Sequence, residues 1–406
     1  MKNVIIVGGG ASGLMAAYAS AARGNKVILL EKNEKLGKKI YITGKGRCNL
    51  TNDCSPEEFL QNIVRGKKFL TGSAYSFPAE KTIRFMEEHG LNVKVERGNR
   101  VFPVSDHASD VTATLERACR NVGVSFKLND PVTDVLIEEN TVTGIQTALN
   151  SYRCEAAIIA TGGISYPATG STGDGYRFAR KAGHRIIDTV PSLVGLETFD
   201  VLSSAQGVTL KNVVLTAKRF DKVIFSALGE VLITHYGISG PLVLSLSAEI
   251  NRIPSKELTL AIDFKPALSE KELDLRLIRD FTERKNEQLK TVMQGLLPAS
   301  LIPYVLKSAQ TQGEVKANSV TREMRTTLIR TLKKFVLTPK ALRGFSEAVV
   351  TSGGVDLSEV NPKTMESKKI KGLYFCGEVL DVDAYTGGFN LQIAFSTGYL
   401  AGNAIS

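Results

Sequence analysis

The chain has 406 residues, 43% of them hydrophobic and 23% charged, and Lys plus Arg outnumber Asp plus Glu by 51 to 41, a formal net charge of +10. That length gives room for two or three domains around a large core, and no apolar run reaches the length of a membrane span. Five scattered cysteines (Cys48, Cys54, Cys119, Cys154, Cys376) form no C-x-x-C pair, and the histidines at 89, 107, 184 and 235 show no ligand spacing, so neither a disulfide framework nor a metal site is expected. The first apolar strand begins almost at Met1 with no charged-then-apolar leader, which predicts a cytoplasmic protein. The basic excess fits either a solvated surface or a face for an anionic partner, of which nucleic acid is the obvious one.

Val4 to Val7 is a short apolar run, and Gly8-Gly9-Gly10-Ala11-Ser12-Gly13 follows at once. Leu14 to Arg23 is Ala-rich and helix-prone, Gly24-Asn25 breaks it, and Val27 to Leu30 is a second apolar run ending in Glu31. Strand, glycine turn, helix, strand and acid make a βαβ unit with G-x-G-x-x-G in its required context. Gly8 permits the tight turn, Gly10 lets a pyrophosphate approach the backbone, and Gly13 lets helix and strand pack closely. Ala11 and Ser12 open the helix, whose N-terminus faces the phosphates. Glu31 accepts hydrogen bonds from an adenosine ribose and would repel a 2′-phosphate, which argues against NADP. Lys32 adjoins the same end.

Past Glu31 a second Gly-rich, cationic loop follows: Lys38, then Thr43-Gly44-Lys45-Gly46-Arg47-Cys48-Asn49. Its glycines expose backbone N–H groups and its cations suit phosphates or a reduced ring. Residues 56 to 90 read as largely helical, with Phe59-Leu60 and Ile63-Val64 at helical spacing. Residues 91 to 104 and 124 to 154 read as short strands with a hairpin near Asn140, and Asp110 to Asn121 as an amphipathic helix between them. That small sheet, including Val132, is expected over the adenosine side of a long cofactor.

Ala156 to Gly163 is an apolar strand ending in Ala160-Thr161-Gly162-Gly163, small residues where the chain passes close to a cofactor, and a feature of FAD-binding Rossmann proteins more than of NAD dehydrogenases. Ser165 to Gly175 is a long loop suited to an active-site wall. From Pro191 the pattern changes to alternating strands (Leu193–Leu196, Val208–Phe220, Lys222–Phe225, Glu230–Thr234, Leu258–Phe264), which predicts an antiparallel barrel-like insert. Charged, amphipathic helical segments from Ser269 to Phe335 predict a helical lobe. Within the barrel, Thr234-His235-Tyr236-Gly237-Ile238-Ser239-Gly240-Pro241 is a polar, glycine-punctuated loop. The opening pattern then recurs near the C-terminus. Leu373 to Glu378 is a strand ending in Gly377-Glu378, and Gly387-Gly388-Phe389-Asn390-Leu391-Gln392 opens a terminal helix whose N–H groups suit the pyrimidine end of a flavin.

The motifs Gly8–Gly13, Thr43–Asn49, Thr234–Pro241 and Gly377–Gln392 together resemble the BaiN/RdsA family of bacterial flavoproteins, the NAD(P)/FAD-dependent oxidoreductase, aminoacetone oxidase family. The resemblance spans essentially the whole chain, and its G-[GK]-G-R-C-N and T-H-x-G-x-S-G-P motifs are specific. It implies an α/β, Rossmann-like FAD-binding domain made of residues 1–190 and 346–406. That domain is interrupted by a barrel-like insert (191–267) and a helical lobe that returns to it (268–345). Members are linked to reduction of a uridine in large-subunit ribosomal RNA to dihydrouridine, to amine oxidation and to reduction of bile-acid-type enones.

The common chemistry is hydride movement through flavin N5, with the protein positioning and tuning the cofactor. Gly8, Gly10, Ala11, Ser12, Gly13, Glu31, Lys32 and Val132 are the residues expected at the adenosine and pyrophosphate. Lys38, Thr43, Gly46, Arg47, Cys48 and Asn49 are expected along the ribityl chain and ring. Thr161 and Gly162 are expected at the close strand end, and Gly377, Glu378, Asp381, Gly388, Asn390, Leu391 and Gln392 at the isoalloxazine. No second fingerprint exists for a nicotinamide domain, so any NAD(P)H would bind transiently as reductant, or another reductant serves. Cys48 and His235 are the candidates for delivering a proton. Three functions follow: an FAD reductase of ribosomal RNA, an FAD oxidase or reductase of a small molecule, and a non-catalytic RNA-binding protein that keeps FAD as a structural piece.

Overall fold

A computed structural model describes residues 1–405 and divides into two compact units, Met1–Ser192 with Phe345–Ser406, and Leu193–Gly344. The first is built on five parallel strands, β1 (Asn3–Val7), β2 (Lys26–Leu30), β3 (Ser125–Lys127), β4 (Ala156–Ile159) and β5 (Leu373–Phe375), in the order β5–β4–β1–β2–β3. Parallel strands are covered on both faces, which is why β1 and β4 are continuous apolar runs instead of alternating ones. Helix α1 (Ala11–Ala22) buries Leu14 and Met15 completely and ends where Gly24, at φ 87°, takes the left-handed position that stops a helix. Truncating either buried side chain to Ala would destabilise the unit by about 2–5 kcal/mol. Helix α2 (Ala108–Asn121) lies earlier in the chain than β3 and packs against α1, where the Cys119 thiol reaches Leu14 O at 3.2 Å.

The strand order reverses between β1 and β4: the chain steps outward through β2 and β3, then crosses to the other side of β1. Ligands of open α/β sheets bind at the carboxyl ends beside such a reversal. The terminal helix α3 (Phe389–Asn403) closes on α1 so tightly that a Cβ at Gly398 or Gly402 would lie 2.3 Å from Ser12 O or 2.2 Å from Ala16 O. The first and last thirty residues are thereby joined in one packed pair.

A three-stranded antiparallel sheet (Val132–Glu138, Thr141–Thr147, Ser151–Arg153) carries the expected hairpin, with Glu139 and Asn140 at φ 47° and 58°. Residues 56 to 90 depart from a simple helical reading. Helices Pro56–Gln61, Lys67–Ser76 and Ala79–Glu88 are split by a strand, Ile63–Arg65, that pairs with Asp383–Ala384. Two β-branched residues followed by Gly66 at φ 80° favour that strand over a continued helix.

The second unit holds a seven-stranded antiparallel sheet in the order Phe335–Leu337, Leu258–Asp263, Thr209–Arg219, Lys222–Ile233, Gly237–Ser239, Leu196–Thr198, Pro339–Leu342. Lys222–Phe225 and Glu230–Thr234, read as two strands, are one strand. Leu215, Leu260 and Ile262 of the sheet share a single core with Leu273, Leu277, Val305, Leu328 and Leu332 of the helices. Sheet and helices are thus one body, because neither apolar face is covered until both are present.

Candidate flavin site

The fingerprint sits at the strand reversal. Gly8 leaves β1 at φ 106°, and a Cβ there would strike Ala160 O, at the end of β4, at 2.6 Å. A Cβ at Gly13 would lie 1.9 Å from Gly8 O. Gly10 is the exception: a Cβ there would meet nothing within 4 Å. Two of these glycines are therefore required by packing, and the third faces open space at the start of α1. That start has Gly10 as N-cap, no side-chain cap and no acid in its first turn. Its orphan N–H groups and positive dipole end are suited to an anion.

Glu31 is buried beside them, and its Oε2 accepts from Gly9 N–H at 2.7 Å while Oε1 accepts from Asn33 N–H and Nδ2. A carboxylate has about four acceptor positions, so capacity for ribose hydroxyls remains. Asp130 N–H donates to Glu31 O at 3.1 Å, which brings the start of the 132–153 sheet to this end. Asp130 Oδ1 is buried without a protein partner, its Oδ2 being taken by Tyr152. Val132 lies two residues beyond, at the head of its strand.

At the other end of the sheet's mouth, Thr161 Oγ1 is buried with no protein partner next to Gly8, and Asn49 Oδ1 is likewise orphaned in the second Gly-rich loop. Gly44, Lys45 and Gly46 of that loop are all left-handed (φ 56°, 59°, 87°), a run that presents successive N–H groups outward, and a Cβ at Gly46 would meet nothing within 4 Å. Gly388, at φ 101°, is the N-cap position of α3, whose N-terminus has no side-chain cap and no acid in its first turn, and a Cβ at Gly388 would collide with Thr51 O at 2.4 Å. Gly377, at φ 76°, abuts Ser12 Oγ. Orphaned buried acceptors, two open glycines and two bare helix N-termini fit a long dianionic dinucleotide with a polar ring.

Several expected side-chain roles give way. Gln392 is 1% exposed and fully engaged within the protein. Its Oε1 accepts from Thr51 and Thr82, and its Nε2 donates to Phe77 O and Ser396. Asn390 clamps the backbone of Ala384 and Tyr385. Asp381 forms a two-pronged pair with Arg65 at 2.8 and 2.6 Å. Lys32 is held by Asp174 at 2.7 Å and Lys38 by Glu34 at 2.9 Å. Arg47 pairs with Glu96 and Asp106 and lies 4.2 Å from the Phe102 ring centroid, and the hydrogen bonds to Glu96 and then Asp106 raise its pKa. Thr43 Oγ1 donates to Ile40 O at 2.7 Å. Gly162 (φ 71°) and Leu391, in the first turn of α3, leave their contribution to backbone and apolar contact.

Cys48 is completely buried, and burial pushes its thiol up to about 12, so it is core and not an accessible proton donor. His235 belongs to the second unit, is exposed, and meets Tyr236 edge-to-face at 5.0 Å. Sequence reasoning missed the partners of Glu378: Lys39 and Ser165 bond its carboxylate at 2.6 and 2.9 Å, and Thr351 N–H donates to it at 2.7 Å. Lys39 stood in a basic run with no local signal. Thr351 precedes Ser352-Gly353-Gly354, and a glycine pair inside a strand does signal close backbone approach: a Cβ at Gly354 would lie 2.5 Å from Val379 O. Among the described residues no group of His, Cys, Asp or Glu is placed to hold a metal ion, and no helix is long and apolar enough to cross a membrane.

The HI0933-like protein Rossmann domain family matches residues 2–404. The chain is 33% identical to the 3-dehydro-bile acid delta(4,6)-reductase of Clostridium scindens, over 100% of this chain and 99% of that protein. It is 31% identical to the ribosomal RNA dihydrouridine synthase of Haemophilus influenzae, over 99% and 98%. Among solved structures it resembles the 3-ketosteroid-delta4-(5alpha)-dehydrogenase of Rhodococcus jostii RHA1 at a TM-score of 0.56 and 15% identity, covering 99% of this chain and 96% of that one, a likeness of fold. By its motifs, its site and this match from end to end, the chain belongs to the HI0933-like family of FAD-dependent oxidoreductases.

Proposed function

We propose that this oxidoreductase acts in the cytoplasm to saturate the C5=C6 bond of a uridine in large-subunit ribosomal RNA, giving dihydrouridine. When bound, FAD supplies the hydride, drawn from NAD(P)H binding transiently. The chain's own residues do the rest. Gly8 to Gly13, Glu31 and the strand start at Val132 hold the adenosine and pyrophosphate. Gly46, Asn49, Thr161 and Gly162 line the middle, and Gly377, Gly388 and Leu391 present backbone to the ring. Lys39 and Ser165 fix the Glu378 carboxylate in place.

The observation that carries the RNA reading is where the charge lies. Leu193–Gly344 holds 22 Lys and Arg against 15 Asp and Glu, so +7 of the net +10 sits in 152 of 406 residues. A charge surplus concentrated in the insert, more than in the cofactor-binding unit, is what a polyanionic substrate needs. The relative from Haemophilus influenzae, named for this reaction, supports it. The experiment is to digest 23S rRNA from a deletion strain and quantify dihydrouridine; content equal to the parent strain rejects the reading.

The second reading is reduction of a small enone, favoured by the end-to-end match to a bile acid reductase. Both relatives' names describe saturation of a carbon–carbon double bond, so the chemistry is shared and only the substrate differs. Turnover of a 3-oxo-Δ4 steroid with rRNA unaffected would select it.

A further inference from the structure

The insert carries a feature that flavin chemistry does not use. Strands Thr209–Arg219 and Lys222–Ile233 form a long antiparallel hairpin in which Arg219 pairs with Lys222, leaving Phe220 and Asp221 as a two-residue turn. Such turns give their positive-φ positions to Gly, Asn or Asp. Here Phe220 holds φ 53°. Its N–H donates to Glu257 O at 3.1 Å, and Arg219 pairs with the Glu257 carboxylate at 2.7 Å, so the tip is fixed in place. The Phe220 ring is 70% exposed.

A bulky side chain in the left-handed region is strained, and a ring left in water returns no burial energy. The Arg219 guanidinium, 6.0 Å from the ring centroid, is at the outer limit of a cation–π contact, so folding gains little from phenylalanine here. The surroundings suggest what the ring is for. Lys218, Arg219 and Lys222 flank the ring in sequence, and Lys256 precedes the glutamate that holds the turn. Among the described residues Lys218, Lys222 and Lys256 have no ion-pair partner, and they outnumber the one exposed acid of the turn, Asp221. An exposed aromatic with unpaired cations is the arrangement that stacks a base and holds its flanking phosphates. We infer that this hairpin tip docks an unpaired loop of RNA, with Phe220 stacked on a base. The inference rests on the RNA reading above and names where that substrate is gripped.

The test uses the full-length, FAD-loaded protein and two probes: an unmodified 23S rRNA transcript and a 12-nucleotide single-stranded oligouridine. Phe220→Gly removes the ring and relieves the backbone, so folding is preserved. It should weaken binding of both probes about tenfold while flavin content and anaerobic bleaching by dithionite stay unchanged. Phe220→Tyr should bind like the parent. Lys222→Ala should lower the slope of log affinity against log salt by about 1. Phe220→Gly binding both probes like the parent overturns the inference, as does a change in oligomeric state with RNA affinity intact, which would give the tip to a second copy. Complementing the deletion strain separates the two claims. Parent and Phe220→Gly proteins restoring dihydrouridine equally overturns the tip alone. A parent protein that restores none rejects the RNA reading, and the tip inference with it.

Discussion

The flavin unit and the insert differ in how they present positive character. In the flavin unit the work is done by backbone: glycines whose missing Cβ atoms would lie 1.9 to 2.6 Å from a carbonyl oxygen at Gly13, Gly8 and Gly388, and helix starts left uncapped. Its net charge is only +3 over 254 residues. Many of its cations are occupied: Lys32, Lys38, Lys39, Arg47 and Arg65 each pair with a carboxylate. In the insert cations such as Arg219, Arg276, Arg284 and Lys333 are paired as well, and the larger surplus of +7 is carried by side chains on a scaffold with an ordinary core. A cofactor held by backbone is fixed in geometry and chemistry. A partner met by side-chain charge is held by a field that tolerates sequence change and responds to salt.

The sharpest break of that comparison is a pair of glycine variants. Gly13→Val forces a side chain into Gly8 O and should abolish folding of the flavin unit, read as loss of soluble yellow protein. Gly10→Ala, where a Cβ meets no protein atom, should keep the parent melting temperature and still purify with little flavin. If Gly10→Ala binds FAD normally, the open space at the helix start is not the pyrophosphate's.

Next in size is Glu31→Arg, which removes the carboxylate proposed to take the ribose and the partner of Gly9 N–H; the protein should purify colourless, and a yellow preparation would refute the ribose role. The smallest effect is expected of Cys48→Ala: about 1 kcal/mol of stability by denaturant titration and no change in turnover. A large loss of turnover at unchanged stability would restore the thiol as a catalytic group.

The parallel sheet and the glycine fingerprint were legible because their signals are local. A buried parallel strand must be an apolar run, and a dinucleotide turn must place glycines at fixed offsets. The hairpin at Asn140 was legible for the same reason. The side-chain roles were less so. Gln392 and Asn390 sit where a ring-binding residue would be expected, and what engages them is Thr51, Thr82, Phe77 and the 384–385 backbone, distant in sequence. Arg47 looks like a free cation until Glu96 and Asp106 fold onto it.

The sequence by itself determined the βαβ unit and the FAD class of cofactor. Each is dictated by short-range sterics and periodicity that no distant residue can change. Tertiary structure alone decided which charges stay free, which polar atoms are left without partners at the strand reversal, that the sheet and helices of the insert share one core, and that Phe220 stands in water on a strained turn. Those properties are sums over neighbours brought together from across the chain, and only the folded arrangement fixes the sum.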